Sequence, residues 1–337
     1  MTSLLKRTSL LLAFLCASLT ALANYRVLIQ YKIGGDGGYD YIRADSAARR
    51  LYVSHGTCVE VLNTDTGKKL GEIAPANGVH GVAVAPEFNH GFTSNGKDNT
   101  VSMFDLKTLR TLKVIPIHGA KPDAIAYDSD TKQVFVCCGA SGTLAAIDAA
   151  TGEFKGAVLI GGALEEPAFD GHGRVFVNVE DKSAIAVVDT RSLKLKTTWL
   201  LAPGEGPTGL AIDREHHRLF SACANGELIV LDSDTGVIVA TPSIGKNPDG
   251  VVFEPATGRA FASCRGGTLT VVQEESPAAY SVLQTVTTQL GARTIALDED
   301  TGRLYLPTAK FGPLPADGSS HRPPILPGTF TVLVVGQ

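Results

Sequence analysis

The sequence predicts an all-β fold: a closed seven-bladed β-propeller with four-stranded antiparallel blades. Three observations carry this reading. Residues 206–236, GPTGLAIDREHHRLFSACANGELIVLDSDTG, contain three short strands at period 2, GLAID, HRLFSA and ELIVLD, parted by turn residues and followed by a fourth in VIVATPSI. Weaker copies recur about every 42 residues, the period of a propeller blade and too long for a leucine-rich or ankyrin unit. The aromatic of the second strand marks the register as Tyr52, Phe92, Phe135, Phe176, Phe220, Phe261 and Tyr305, which makes seven copies. Four strands this short cannot bury both faces of their own sheet, so each copy must stack on the next, and the aromatics are expected to pack between blades.

In chain order, residues 1–23 come first. They carry Lys6 and Arg7, an apolar LLLAFL core and an Ala21-Leu22-Ala23 cleavage pattern, so they are expected to be a signal peptide removed after Ala23. The apolar run is too short to span a bilayer, and Leu15 before Cys16 is wrong for a lipoprotein. The expected product is a periplasmic or secreted monomer. Removing the two basic leader residues takes the net charge from −4 to −6, so nucleic acid is not an expected partner.

Residues 24–337 are then one propeller domain. Residues 24–33 read as a strand with no partner in blade one, while the seventh repeat ends on TFTVLVV without a fourth strand. The ends should therefore share one blade, which closes the ring and protects its last edge. A second marker, Asn63, Asp105, Asp148, Asp189 and Asp232, ends the third strand of blades one to five, and Gln273 breaks it in blade six. Residues 310–328, with five prolines, form a loop insertion in blade seven that should lie over the same face as the inter-blade links, without a ladder of its own.

The repeats, the Asn225-Gly226 and Asp234-Thr235-Gly236 turns, and RVFVNVEDKSAIAVVDTRSLK in blade four resemble the YVTN-repeat propellers of the YncE family. The resemblance covers essentially all of residues 24–337 and implies an exported bacterial propeller. One member of that family is associated with single-stranded DNA, a role that the negative charge and the lack of an Arg and aromatic cluster disfavour here. Related propellers include lactone hydrolases and quinone-dependent amine dehydrogenase subunits, but no catalytic motif of either is matched residue by residue.

Function is expected on the face that carries the links between blades. At the start of the first strands this face presents Asp40, His80 with Gly81, Asp123, Thr208, Asp249 and Arg293, a polar ring suited to a small anionic or metal-bridged ligand. Blade four is left out of this ring and is expected to be inert, as are the opposite-face histidines His172, His216 and His217. The same register brings His55, His80, His118 and His321 to the functional face, with Asp123 among them and Cys58 nearby; His55, His80, His118 and Asp123 are the expected ligands of a divalent metal. No other cofactor is implied. Five cysteines lie beyond the leader, and Cys138, Cys223 and Cys264 share one repeat position, too far apart for disulfides and expected to be buried fillers; a vicinal Cys137–Cys138 bond is the alternative for that pair. The sequence has no Gly-x-Ser-x-Gly elbow, His-Glu-x-x-His helix or Walker loop. The expected function is a ligand-binding or protein-interaction scaffold. A lactonase-type or metal-assisted hydrolase at the tunnel mouth is the alternative.

Overall fold

The computed structural model describes residues 24–315 and 323–337; the signal-peptide expectation and His321 lie outside them. Alternating apolar residues and Gly or Asx turns produce seven antiparallel sheets of four strands each. The first, innermost strands are Ile42–Asp45, Val79–Ala85, Pro122–Asp128, Leu164–Phe169, Pro207–Asp213, Pro248–Glu254 and Ala296–Asp298. Neighbouring first strands lie side by side around a central tunnel. The fourth strand of blade five shrinks to Ile238–Ala240.

The marker aromatics are the core of the ring. All seven have no exposed surface, and most meet a second ring: Phe220 stacks on Phe253 at 5.0 Å, Phe135 meets Phe169 at 5.5 Å and Phe176 meets Trp199 at 5.9 Å. The third-strand Asx residues cap the following turn. Asp232 Oδ1, for example, accepts hydrogen bonds from the Asp234 and Thr235 amides and the Thr235 hydroxyl, at 2.9 to 3.1 Å.

The chain ends meet as expected. Strand Arg26–Lys32 runs antiparallel to Thr331–Gly336 and completes blade seven from outside, with partners from Arg26↔Gly336 to Lys32↔Thr331. It is pinned at both ends. The Tyr25 amide donates to Gln284 Oε1 of blade six at 2.9 Å, and the Tyr31 hydroxyl donates to the Thr64 carbonyl of blade one at 2.8 Å.

The proline-rich insertion does form a short ladder at its base: Phe311 bridges Ile325, Gly312 N–H donates to the Pro324 carbonyl and Leu326 N–H to the Lys310 carbonyl. The prolines permit this because they occupy positions where no amide has to donate. The five described cysteines are all free, so Cys137 and Cys138 form no vicinal bond. Cys138, Cys223 and Cys264 are fully buried fillers.

Two outcomes follow. Deleting residues 24–33 exposes the Thr331–Gly336 edge and should convert a monodisperse protein into an aggregating one by light scattering; an unchanged monomer with the parent melting temperature would refute the closure. Phe176→Ala should lower unfolding free energy by about 3–5 kcal/mol in urea titration.

Candidate functional site at the tunnel mouth

Counting back five residues from the end of each first strand (Asp45, Ala85, Asp128, Asp213, Glu254 and Asp298, and in blade four Asp170, which directly follows Phe169) gives the equivalent position in every blade: Asp40, His80, Asp123, Glu165, Thr208, Asp249 and Arg293. Six of these are the residues the sequence singled out. Glu165, from blade four, is the one it missed, and blade four therefore contributes to the ring after all.

Blade-to-blade hydrogen bonds hold this level of the tunnel rigid. The Tyr41 amide donates to the His80 carbonyl at 3.0 Å, Thr294 Oγ1 to the Asp40 carbonyl at 2.6 Å, and Asn178 Nδ2 to the Thr208 and Gly209 carbonyls at 3.0 and 2.9 Å. Thr208 belongs to this framework, because its hydroxyl donates to the Pro248 carbonyl at 2.9 Å and is buried.

The charged residues form a continuous network. His80 Nδ1 lies 2.6 Å from Asp40 Oδ2 and 3.2 Å from Asp123 Oδ1, and ligand atoms of the three side chains all fall within 4.8 Å of one another. Arg293 pairs with Asp40 at 3.0 Å and also with Asp249, which Arg265 approaches at 3.4 Å. Lys121 pairs with Asp123 at 3.1 Å. Burial opposes a charge on His80, but the hydrogen bond it donates to Asp40 and the charges of the two carboxylates outweigh it and raise its pKa. Burial likewise works against ionised Asp40, yet Arg293 and then His80 hold its pKa below the ordinary carboxylate value. Asp123 is raised, by burial first and then by Asp40.

Across the tunnel, the Tyr41 hydroxyl from blade one donates to Glu165 Oε2 at 3.2 Å, and Glu166 accepts from the Leu210 amide at 3.2 Å. Both glutamates are half-buried. Burial, reinforced by Asp123 and Asp249, pushes Glu165 up to about 9, and burial alone accounts for most of the rise of Glu166 to about 8. At neutral pH both are therefore mainly neutral acids.

The expected shared metal shell divides. His80 and Asp123 sit together with Asp40, but His55 belongs to a separate group with Cys58 and Glu60. His118 is exposed and packs edge-on against Phe154 at 4.9 Å. Chain register brought these residues to one face, but each is anchored to its own blade, and the blades diverge away from the tunnel. On the opposite face His216 is more than a solvated turn residue: its Nδ1 lies 2.6 Å from Asp213 and 3.4 Å from buried Glu274.

No protein-family model matches the chain. The uncharacterized protein YncE of Escherichia coli K12 is 30% identical over 156 residues, a stretch covering 43% of this chain and 44% of that protein, and YncE of Salmonella typhi is 29% identical over the same length. The match thus spans less than half of these relatives. Among solved structures, hydrazine synthase of Kuenenia stuttgartiensis superposes with a TM-score of 0.70 at 16% identity, over 81% of this chain and 94% of that one, a likeness of fold alone. With the seven blades, these similarities bear out the YncE resemblance read from the repeats.

The raised glutamates give a pH test. In the unfolded chain Glu165 and Glu166 lose their protons near pH 4.3, about the ordinary glutamate value. In the folded protein they keep them to about 9 and about 8. Their contribution to stability is thus complete below about pH 4 and is lost as pH rises through 8 to 9, with a slope of at most about 1.4 kcal/mol per pH unit for each group. The Glu165→Gln/Glu166→Gln pair should flatten the fall in urea midpoint between pH 6 and pH 9; an undiminished slope would mean that other groups carry it.

Proposed function

We propose that this YncE-like propeller is an exported binding scaffold whose ligand seats at the tunnel mouth through a cationic group, such as the ammonium of a small amine. The observation that carries this reading is the excess of carboxyl groups in the ring. Asp40 and Asp249 share Arg293, and Asp123 has Lys121 and His80, whereas among the described residues the Glu165 side chain is hydrogen-bonded by the Tyr41 hydroxyl and by no cation. A ligand cation between Glu165 and Asp123 would replace the proton that burial now retains, with no rearrangement of the stitched first strands. Arg293 and Lys121 remain at the rim to meet an acceptor on the same ligand. Export is supported by the basic, apolar and small-residue order of residues 1–23.

Calorimetric titration with polyamines and basic amino acids, set against dicarboxylates as controls, tests the reading. Binding of the amine should release one proton from Glu165 and tighten by up to about a hundredfold from pH 6 to pH 8, and Glu165→Gln with Asp123→Asn should weaken it by at least about tenfold. Preference for the dicarboxylates would overturn it.

One observation favours a second reading, a lactonase-type hydrolase. His80 Nδ1 is held by Asp40 and Asp123, the arrangement that orients an imidazole as a general base. Hydrolysis of simple lactones that disappears in His80→Gln would favour it over pure binding.

A further inference from the structure

Away from the tunnel ring, blade one carries a cluster that neither reading uses. Strands Arg50–His55 and Cys58–Asn63 form a tight hairpin in which His55 pairs directly with Cys58. Side chains alternate along a strand, so Cys58 and Glu60 share a face, and cross-strand pairing puts His55 on that face too. His55 Nδ1 is 3.8 Å from Glu60 Oε1, and Cys58 Sγ is 4.0 Å from the same oxygen. One ligand atom from each side chain fits within 4.8 Å.

The imidazole is otherwise unclaimed. The His55 side chain is 6% exposed, its Nε2 is buried with no hydrogen-bond partner, and Nδ1 views Glu60 from beyond hydrogen-bond reach. A buried imidazole with neither nitrogen hydrogen-bonded is destabilising, and coordination through Nδ1 would give that nitrogen a partner. The ring is fixed in place. It lies against Phe330 with centroids 4.6 Å apart, and the 34–38 linker crosses it so closely that a Cβ on Gly35 would come within 2.8 Å of the ring. Cys58 is partly exposed, which leaves a way in from solvent.

We propose that His55, Cys58 and Glu60 form a three-ligand site for a borderline-soft divalent cation of the Zn2+ class, with one coordination position left open. Ligands about 2.0–2.3 Å from a tetrahedral ion stand roughly 3.3–3.8 Å from one another, so the 3.8 and 4.0 Å separations from Glu60 Oε1 require only a small contraction of the hairpin face. A thiolate, an imidazole and a carboxylate together select Zn2+ over Mg2+ or Ca2+, which prefer oxygen shells. Lys69, 2.8 Å from Glu60 Oε2, pairs with that oxygen, while Oε1 faces His55 and Cys58. Coordination exchanges the Cys58 thiol proton for the metal, so affinity rises with pH.

Two measurements on the folded protein test this. Co2+ added at pH 8 should give a thiolate-to-metal charge-transfer band that saturates at one ion per chain and is displaced by Zn2+. The band should vanish in Cys58→Ser, weaken at least about a hundredfold in His55→Gln, and persist in Asp123→Asn at the tunnel mouth. Independently of any variant, Cys58 is the one described cysteine that is not buried, so a water-soluble disulfide reagent should titrate one thiol in the native protein, and equimolar Zn2+ should protect it. A missing band, a band that survives Cys58→Ser, or a thiol that reacts as fast with Zn2+ as without it would each overturn the proposal. None of these outcomes bears on ligand binding at the tunnel ring, whose residues are different.

Discussion

The contact on which everything else depends is the packing of one blade's second-strand aromatic into the neighbouring sheet. A single four-stranded sheet of six-residue strands has too little buried surface to be stable alone. Seven fully buried rings, each in the same place in its repeat, sit in seven inter-blade cores that join seven marginal sheets into one ring. The tunnel ring follows from that packing. Because blades stack at a fixed angle, the residue five positions before the end of each first strand is carried to the same level. Hydrogen bonds from Thr294, Tyr41 and Asn178 to neighbouring first strands then lock that level in place. A ligand site can be assembled there from blades distant in sequence with no local motif.

This explains which parts were legible beforehand. Blade number, closure and the buried thiols follow from periodicity, because a repeat imposes the same environment on equivalent positions. Glu165 was missed although the signal was present: it stands five residues before Asp170, as Asp40 stands before Asp45. The Glu165-Glu166-Pro167 run, lacking the apolar alternation of the other first strands, hid the register. The gathering of His55, His80 and His118 into one shell failed for a different reason. Sequence register tells which face a residue occupies but not its radius from the tunnel axis. His80 is on an innermost strand, His55 at the hairpin between second and third strands, and His118 in a link beyond a fourth strand.

The tunnel mouth illustrates how one set of like groups can be held in unlike states. Arg293 fixes Asp40 as a carboxylate, while a few residues around the ring Glu165 is kept neutral by burial and by Asp123 and Asp249. The contrast lies in where the cations stand: Arg293 and Lys121 serve the blade seven to blade three side, whereas Glu165 of blade four meets the Tyr41 phenol of blade one. The ring is thus polarised across its diameter, and any molecule that enters meets a fixed charge pattern on one side and a set of removable protons on the other.

The strand Arg26–Lys32 is made before every blade, yet its hydrogen-bonding partner, Thr331–Gly336, is made after all of them. The contact that completes the circle is therefore also the one with the greatest chain separation, and its loop-closure entropy must be met before it returns any stability. Until the final segment arrives, the growing polymer holds an open arc with a free edge, and the early strand has nothing to pair with. Synthesis can thus accumulate local sheets one by one, but the native topology appears in a single late event. A chain of this design remains threadable for most of its birth and becomes resistant to unravelling only at the end.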